Sequence, residues 1–257
     1  MLIVKDGPHE KLIFIHLQKC AGTFINAFLK EMYPLSYRPF KRESETDQQH
    51  IPKYLLSSLN KIAPRLGRLP SFGSIRNPLS FYSSIYHFSR EKSDEEWASG
   101  NIYNRLGRPE SFSEYIEKLF NNESIKNSNS KTGHAELFQR MDKLDIGVLS
   151  ARYLSMFFGK NIFDYSIDDI TRHHNNMIKV NHIIRVENLS NELYAVLKRS
   201  GLKGSRLKNP DTFKNIIKES NVKKNKSSHN HYKEYYNEDL IELIKHKERL
   251  IFNIYRY

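Results

Sequence analysis

Leu12 to Leu17, LIFIHL, runs through the short loop Gln18-Lys19-Cys20-Ala21-Gly22 into TFINAFLKEMY. The apolar run predicts a buried strand. The segment after it predicts a helix with Phe24, Ala27, Phe28 and Met32 on one face. A strand, a tight loop and a helix in that order turn backbone N–H groups and the positive end of a helix towards an anion. The Walker pattern GxxxxGK[ST] is absent, because the lysine precedes the glycine. Gly22 lets the backbone approach a ligand closely, Thr23 offers a hydroxyl and an N–H, and Lys19 adds a mobile charge. On spacing alone, the same residues also describe a plain strand-to-helix turn with a solvated lysine.

A second stretch, SFGSIRNPLSFYSSIYHF, has the same character. Ser71 to Ile75 predicts a strand ending at Arg76, and Pro78 opens a helix carrying Phe81, Ile85 and Phe88 at helical spacing. An arginine leaving a strand end can fork onto a phosphate, and Ser84, two turns on, can reach the same oxygens. Taken alone, Arg-Asn-Pro is an ordinary helix entry. Two anion sites at the carboxyl ends of two strands form a pattern.

The rest of the chain alternates in the same way. Helices are expected over Ile51–Ile62, Phe112–Phe120, Val148–Phe158, Leu189–Arg199 and Glu238–Ile254, with a third strand over Val180–Val186. Residues 34–49 and 91–110 read as loops, 121–133 as a low-complexity Asn/Ser/Lys segment, and 221–231 as a polar basic stretch. Strands alternating with helices predict an α/β fold, a central mainly parallel sheet flanked by helices. No repeat or composition break divides residues 1–257, so one domain is expected.

Lys and Arg number 41 against 29 Asp and Glu, a formal charge of +12, which favours anionic partners such as nucleotides, nucleic acid, acidic glycans or a membrane face. The single cysteine, Cys20, excludes an internal disulfide. No signal peptide is read, and no apolar run approaches the roughly 20 residues of a membrane span. A soluble, cytoplasmic protein is the simplest reading, with a membrane-tethered enzyme lacking its anchor as the other one open. The histidines are scattered, with His229 and His231 in a polar loop, and no metal site is expected.

At these residues the chain resembles a known family. FIHLQKCAGTF is similar to the 5′-phosphosulfate loop of sulfotransferases that use 3′-phosphoadenosine 5′-phosphosulfate (PAPS), F-I-H-x-x-K-[TC]-[AG]-G-T. SIRNPLSFYSSIY resembles their 3′-phosphate motif, R-[DN]-P-x-x-R-x-x-S-x-[YF]. The carbohydrate sulfotransferases and their bacterial relatives are the branch it looks most like. NHIIRVENLSNELYAVLKRSGL, NKSSHNHYKEYYNEDLIELI and LIFNIYRY are similar to later segments of the family, while residues 91–147 are poorly placed.

The resemblance implies a P-loop-like three-layer fold and transfer of a sulfuryl group from PAPS to a hydroxyl or amine, leaving 3′,5′-adenosine bisphosphate (PAP). The acceptor would be a saccharide or another small hydroxylated molecule. It implies that Lys19, Cys20, Ala21, Gly22, Thr23 and Phe24 line the 5′-phosphosulfate, with Lys19 also acting in catalysis. Arg76 and Ser84 would hold the 3′-phosphate. Lys223–Ser228, with Lys226 and Ser227 as its contacts, would form a lid; the same stretch also reads as a solvated basic loop. Phe81 stands where the family often has a second arginine, and Cys20 where threonine or serine is frequent. Cys20 reads as a small buried residue and not as a nucleophile.

A hydroxyl acceptor needs a base titrating near neutrality. His50, between the two motifs, is the preferred candidate, or else it caps the helix it precedes. Glu43, Glu45, Asp47 and His134 are rivals. His16 reads as structural support for the loop. Trp97 and Tyr103 suit a sugar-stacking surface or an ordinary amphipathic loop. Two other classes stay open. A nucleotide kinase would want a GK[ST] and a magnesium-binding acid at a strand end. A nucleic-acid-binding protein would use the basic tracts Lys214–Lys226 and Lys245–Arg249, but these carry no fold signature, and no nucleic-acid partner is expected.

Overall fold

The computed structural model describes residues 1–38, 68–90, 111–121, 133–159, 161–204, 207–220 and 232–257. Four strands, β1 (Leu2–Asp6), β2 (His9–Ile15), β3 (Ser71–Ile75) and β4 (His182–Arg185), form one sheet in the order β1-β2-β3-β4. β2, β3 and β4 are parallel, with Ile13 opposite Ser71 and Gly73 opposite Ile183. Their carboxyl ends therefore open on one side, where an open α/β sheet places its ligand.

β1 is an addition to the three predicted strands. It pairs antiparallel with β2 through a tight turn at Gly7-Pro8, with Leu2 opposite Phe14. Both strands are buried on their two faces, so they lack the apolar-polar alternation that marks a half-exposed strand. The sheet is thus mostly parallel with one antiparallel edge.

Helices cover both faces. Ile13, Ile15 and Ile75 point into one core with α2 (Pro78–Arg90), α3 (Phe112–Asn121), α4 (Gly133–Leu144), α5 (Val148–Phe157), α6 (Ile167–Met177), α9 (Glu238–Lys247) and α10 (Arg249–Tyr255). Leu12, Phe14 and Phe72 point into the other with α1 (Gly22–Met32), α7 (Leu189–Arg199) and α8 (Pro210–Glu219). Each large apolar side chain buried this way contributes about 1.5–3 kcal/mol. Gly73 brings α5 onto the sheet, since a Cβ there would lie 2.4 Å from the Phe157 ring.

β3 and α7 fall where the sequence predicts them. The buried face of α1 does not: it is formed by Ile25, Phe28 and Leu29, while Ala27 is exposed and Phe24 half-buried. The apolar stripe is broad, and the packing partners β1, α7 and α8 select its centre. Helices α4, α6 and α8 are additions to the expected set, being too polar for a periodic reading. The helix expected over Glu238–Ile254 is two helices, broken at Glu248 (φ −106°, ψ 20°).

The break has a purpose in the packing. Glu248 is fully buried, and its carboxylate accepts hydrogen bonds from the Tyr82 hydroxyl, Leu149 N–H (2.9 Å), Ser150 N–H (2.8 Å) and Ser150 Oγ (2.6 Å). It thereby caps α5, whose N-cap residue, Gly147, makes no side-chain capping bond. Burial nonetheless pushes this carboxyl up to about 7, against the pull of its donors. The helix expected over 51–62 lies outside the described residues.

Candidate functional site

The loop from His16 to Ala21 leaves the end of β2 and turns into α1 under evident constraint. Lys19 (φ 62°) and Ala21 (φ 58°) both adopt the left-handed conformation. For residues with a Cβ that costs roughly 1–2 kcal/mol each, and such conformations persist where the surroundings over-determine them. Ser74 of β3 supplies part of that determination, donating its hydroxyl to the Cys20 carbonyl at 2.5 Å. Arg76, just past β3, donates from Nη1 to the Lys19 carbonyl at 3.4 Å. Arg152, on α5 and only 2% exposed, donates from Nη1 to Oε1 of Gln18.

The end of α1 is open. Among the described residues no side-chain cap bond is made there, the N-cap being Ala21, and the first helical bond from this end runs from Ile25 N–H to the Ala21 carbonyl. The N–H groups of Gly22, Thr23 and Phe24 therefore point out of the helix end, where the helix dipole adds its positive field. Gly22 is required for a reason of space. A Cβ on it would lie 1.6 Å from Cδ2 of His16. His16 is the support the sequence suggests. Burial, then the positive charges of the Met1 amino group, Arg38 and Lys19, lower its pKa to about 4.

Cys20 turns away from the open end of α1. Its side chain is fully buried, its N–H turns back to the Leu17 carbonyl (3.3 Å), and its carbonyl is taken by Ser74. Burial also pushes its thiol far up, so it stays protonated. Cys20 is part of the loop's fastening, and its polar groups face away from a ligand. Phe24 is half-buried and stacks on Phe28 (ring centroids 5.7 Å apart), which leaves its backbone N–H as its contribution.

The second stretch assembles as strand end, cap and helix. Asn77 accepts from Leu79 N–H (2.9 Å) and Ser80 N–H (3.4 Å), capping α2 with Pro78 in its first turn. Arg76 points Nε to Ser80 Oγ at 2.7 Å. Sequence reasoning does not single out Ser80, although its spacing of four from both Arg76 and Ser84 is a usable signal. Ser84 stands one turn further along the same half-buried face. Phe81 is wholly buried and packs edge-on against Tyr82, so the place of a second arginine lies inside the core here.

The structure thus brings Lys19, Ala21, Gly22, Thr23, Phe24 and Arg76 together at the ends of adjacent strands β2 and β3. The Lys19 ammonium rests over the ring of Phe88, 3.0 Å from its centroid, bridging the loop to the last turn of α2. Glu187, two residues past β4, accepts from Asn77 N–H (2.8 Å) and the Tyr257 hydroxyl (2.9 Å), tying the β3 and β4 ends together. His50, Glu43, Glu45, Asp47, Lys226, Ser227, Trp97 and Tyr103 lie outside the described residues, as does the side chain of His134. Among the described residues no group of three or more His, Cys, Asp or Glu is arranged to hold a metal ion. No helix among them is long and apolar enough to cross a membrane.

No protein-family model, curated protein or solved structure matched the chain in comparison.

Proposed function

We propose that this protein is a PAPS-dependent sulfotransferase of the cytoplasm that moves a sulfuryl group to a hydroxyl of a carbohydrate acceptor. The observation that carries the reading is the meeting of an uncapped helix end and Arg76 at the carboxyl ends of neighbouring parallel strands, with Arg76 touching the Lys19 carbonyl at 3.4 Å. A helix end and an arginine at adjacent strand ends suit a nucleotide with phosphates at both its 5′ and 3′ positions. The motif resemblance supplies the sulfuryl group, and the finer P-loop-like description of the fold belongs to the same proposal.

In this reading the N–H groups of Gly22, Thr23 and Phe24 and the Lys19 ammonium hold the 5′-phosphosulfate, while Arg76 and Ser84 hold the 3′-phosphate. The bond from sulfur to the bridging phosphate oxygen breaks as the bond from sulfur to the acceptor oxygen forms in line with it. The bisphosphate product leaves with the electron pair. Lys19, swinging off Phe88, neutralises the charge growing on the bridging oxygen. The acceptor proton passes to a base, for which His50 is the proposed group. The excess of 41 Lys and Arg over 29 Asp and Glu favours the approach of an acidic saccharide.

Glu187 gives one reason to keep a magnesium-dependent nucleotide kinase as the second reading, since it is an acid close to a strand end. Its two oxygens are already engaged by Asn77 and Tyr257. A thermal-shift titration separates the two. A ligand held only by the native state at a hundred times its dissociation constant stabilises it by about 2.7 kcal/mol. A rise in Tm with 3′,5′-adenosine bisphosphate, absent with 5′-AMP and with magnesium-ATP, is the expected result. A rise with magnesium-ATP alone would transfer the site to the kinase reading.

A further inference from the structure

Arg152 is the largest side chain in the fully buried core. It lies in the middle of α5, flanked by Ala151, Tyr153 and Leu154, all of them buried. A guanidinium in such a place is kept out of water at a cost that ordinary packing does not require. Its Nη1 reaches Oε1 of Gln18, the residue directly before the left-handed Lys19.

Three consecutive loop residues are thereby held by three different supports. Gln18 is held by Arg152 of α5, Lys19 by Arg76 after β3, and Cys20 by Ser74 of β3. Two guanidiniums from different elements thus contact neighbouring residues of one loop, Arg76 at the Lys19 carbonyl and Arg152 at the Gln18 side chain. Two fixed positive charges beside a loop raise the potential where an anion would dock, an effect that the nearby Glu187 carboxylate partly offsets.

We infer that Arg152 is a positioning residue for the anion loop, fixing through Gln18 the backbone from which Lys19 and the end of α1 face the 5′-phosphosulfate. This rests on the sulfotransferase reading for the identity of the anion. The support of the loop itself does not depend on that identity.

The test compares two probes by calorimetry: 3′,5′-adenosine bisphosphate, and adenosine 3′-monophosphate, which lacks the group the loop would hold. Arg152→Met and Gln18→Leu should each weaken the bisphosphate by about 10- to 100-fold, the worth of one hydrogen bond to a charged group. Both should leave the 3′-monophosphate unchanged, and Arg152→Lys should recover part of the loss. Equal weakening of both probes, or a Gln18→Leu protein that binds the bisphosphate normally, would overturn the inference. If Arg152→Met does not fold, Gln18→Leu and Arg152→Lys decide.

If the wild type binds neither probe, the functional reading falls, and hydrogen exchange decides the positioning role. The bonded amides of Cys20 and Ile25, which donate to the Leu17 and Ala21 carbonyls, should exchange faster in Gln18→Leu and Arg152→Lys than in the wild type, with the later amides of α1 unchanged. Unaltered protection at those amides would sink the inference without reference to any ligand.

Discussion

Replacing Gly22 by alanine sets two effects against each other, and their sizes decide the outcome. Gly22 opens α1 and does not hold a positive φ, so helix propensity favours alanine by roughly 0.5–1 kcal/mol. Against this, the added Cβ would lie 1.6 Å from Cδ2, 2.1 Å from Nε2 and 2.4 Å from Cγ of His16. Carbon atoms in contact sit at about 3.5–4.0 Å, so the ring must move by more than an atom's radius. Its surroundings resist that: His16 stacks near Phe14 (6.3 Å between centroids), and the loop beyond it is pinned by Ser74 and Arg76.

Overpacking of this kind costs about 1–3 kcal/mol, occasionally more, which after the propensity gain leaves a net loss of about 1 kcal/mol. At roughly 2–4 °C per kcal/mol for a chain of this size, scanning calorimetry should show Gly22→Ala melting about 2–4 °C below the wild type. Removing the ring should relieve the clash, so Gly22→Ala combined with His16→Ala should be less destabilised than the sum of the two single changes. A single variant as stable as the wild type, or strict additivity in the double, would refute the claim that His16 dictates glycine here.

His16 and Glu248 should impose opposite pH dependences over nearly the same range. His16, lowered to about 4, stabilises fully above 6.5 and loses that contribution as pH falls towards 4. Glu248, raised to about 7, stabilises fully below 4.5 and loses that contribution as pH rises through 7. Melting curves of His16→Gln should therefore gain on the wild type by about 3 kcal/mol between pH 7 and pH 4, since each tenfold change in proton affinity is worth about 1.36 kcal/mol; a constant difference would contradict the burial argument. Glu248→Gln at pH 8 should lose about 1–3 kcal/mol, because an amide NH₂ would face the N–H of Leu149 or Ser150; urea denaturation would expose an unaffected variant. Ser74→Ala should cost a similar amount, measured the same way, by leaving the buried Cys20 carbonyl without its donor. Given a working acceptor, Lys19→Ala should lower kcat about 100- to 1000-fold, whereas Arg76→Ala should mainly raise the dissociation constant of the bisphosphate. Equal kcat losses in the two would argue against separate sites.

The loop and the strand end that form the candidate site were legible because their signals are local. Lys19, Gly22 and Thr23 lie within five residues, and Arg76, Asn77 and Pro78 announce a strand end, a cap and a first helical turn. The supports were not legible, because their partners are distant in the chain. Arg152 stands 134 residues from Gln18, inside an apolar run that reads only as a buried helix. Glu248 reads as one more polar residue of an amphipathic segment until Leu149 and Ser150, about a hundred residues earlier, are brought to it. Two missed helices did carry signals. Ser166 caps α6 from Asp169 N–H (3.1 Å), and Asn209-Pro210 caps and opens α8. Both patterns were outweighed by the scarcity of apolar residues, with only Ile167 and Ile170 buried in α6 and Phe213 and Ile217 in α8.

The cap that Glu248 places on α5 also sets an order of assembly. The loop that would receive the anion leaves the ribosome before every element that fastens it. The helix that braces it through Arg152 comes well over a hundred residues later, and the carboxylate that fastens that helix comes a further 98 residues on. Contacts of such long range close late and slow folding. A growing chain would thus carry an unbraced loop until residue 248 has emerged, and binding competence should appear only after that point.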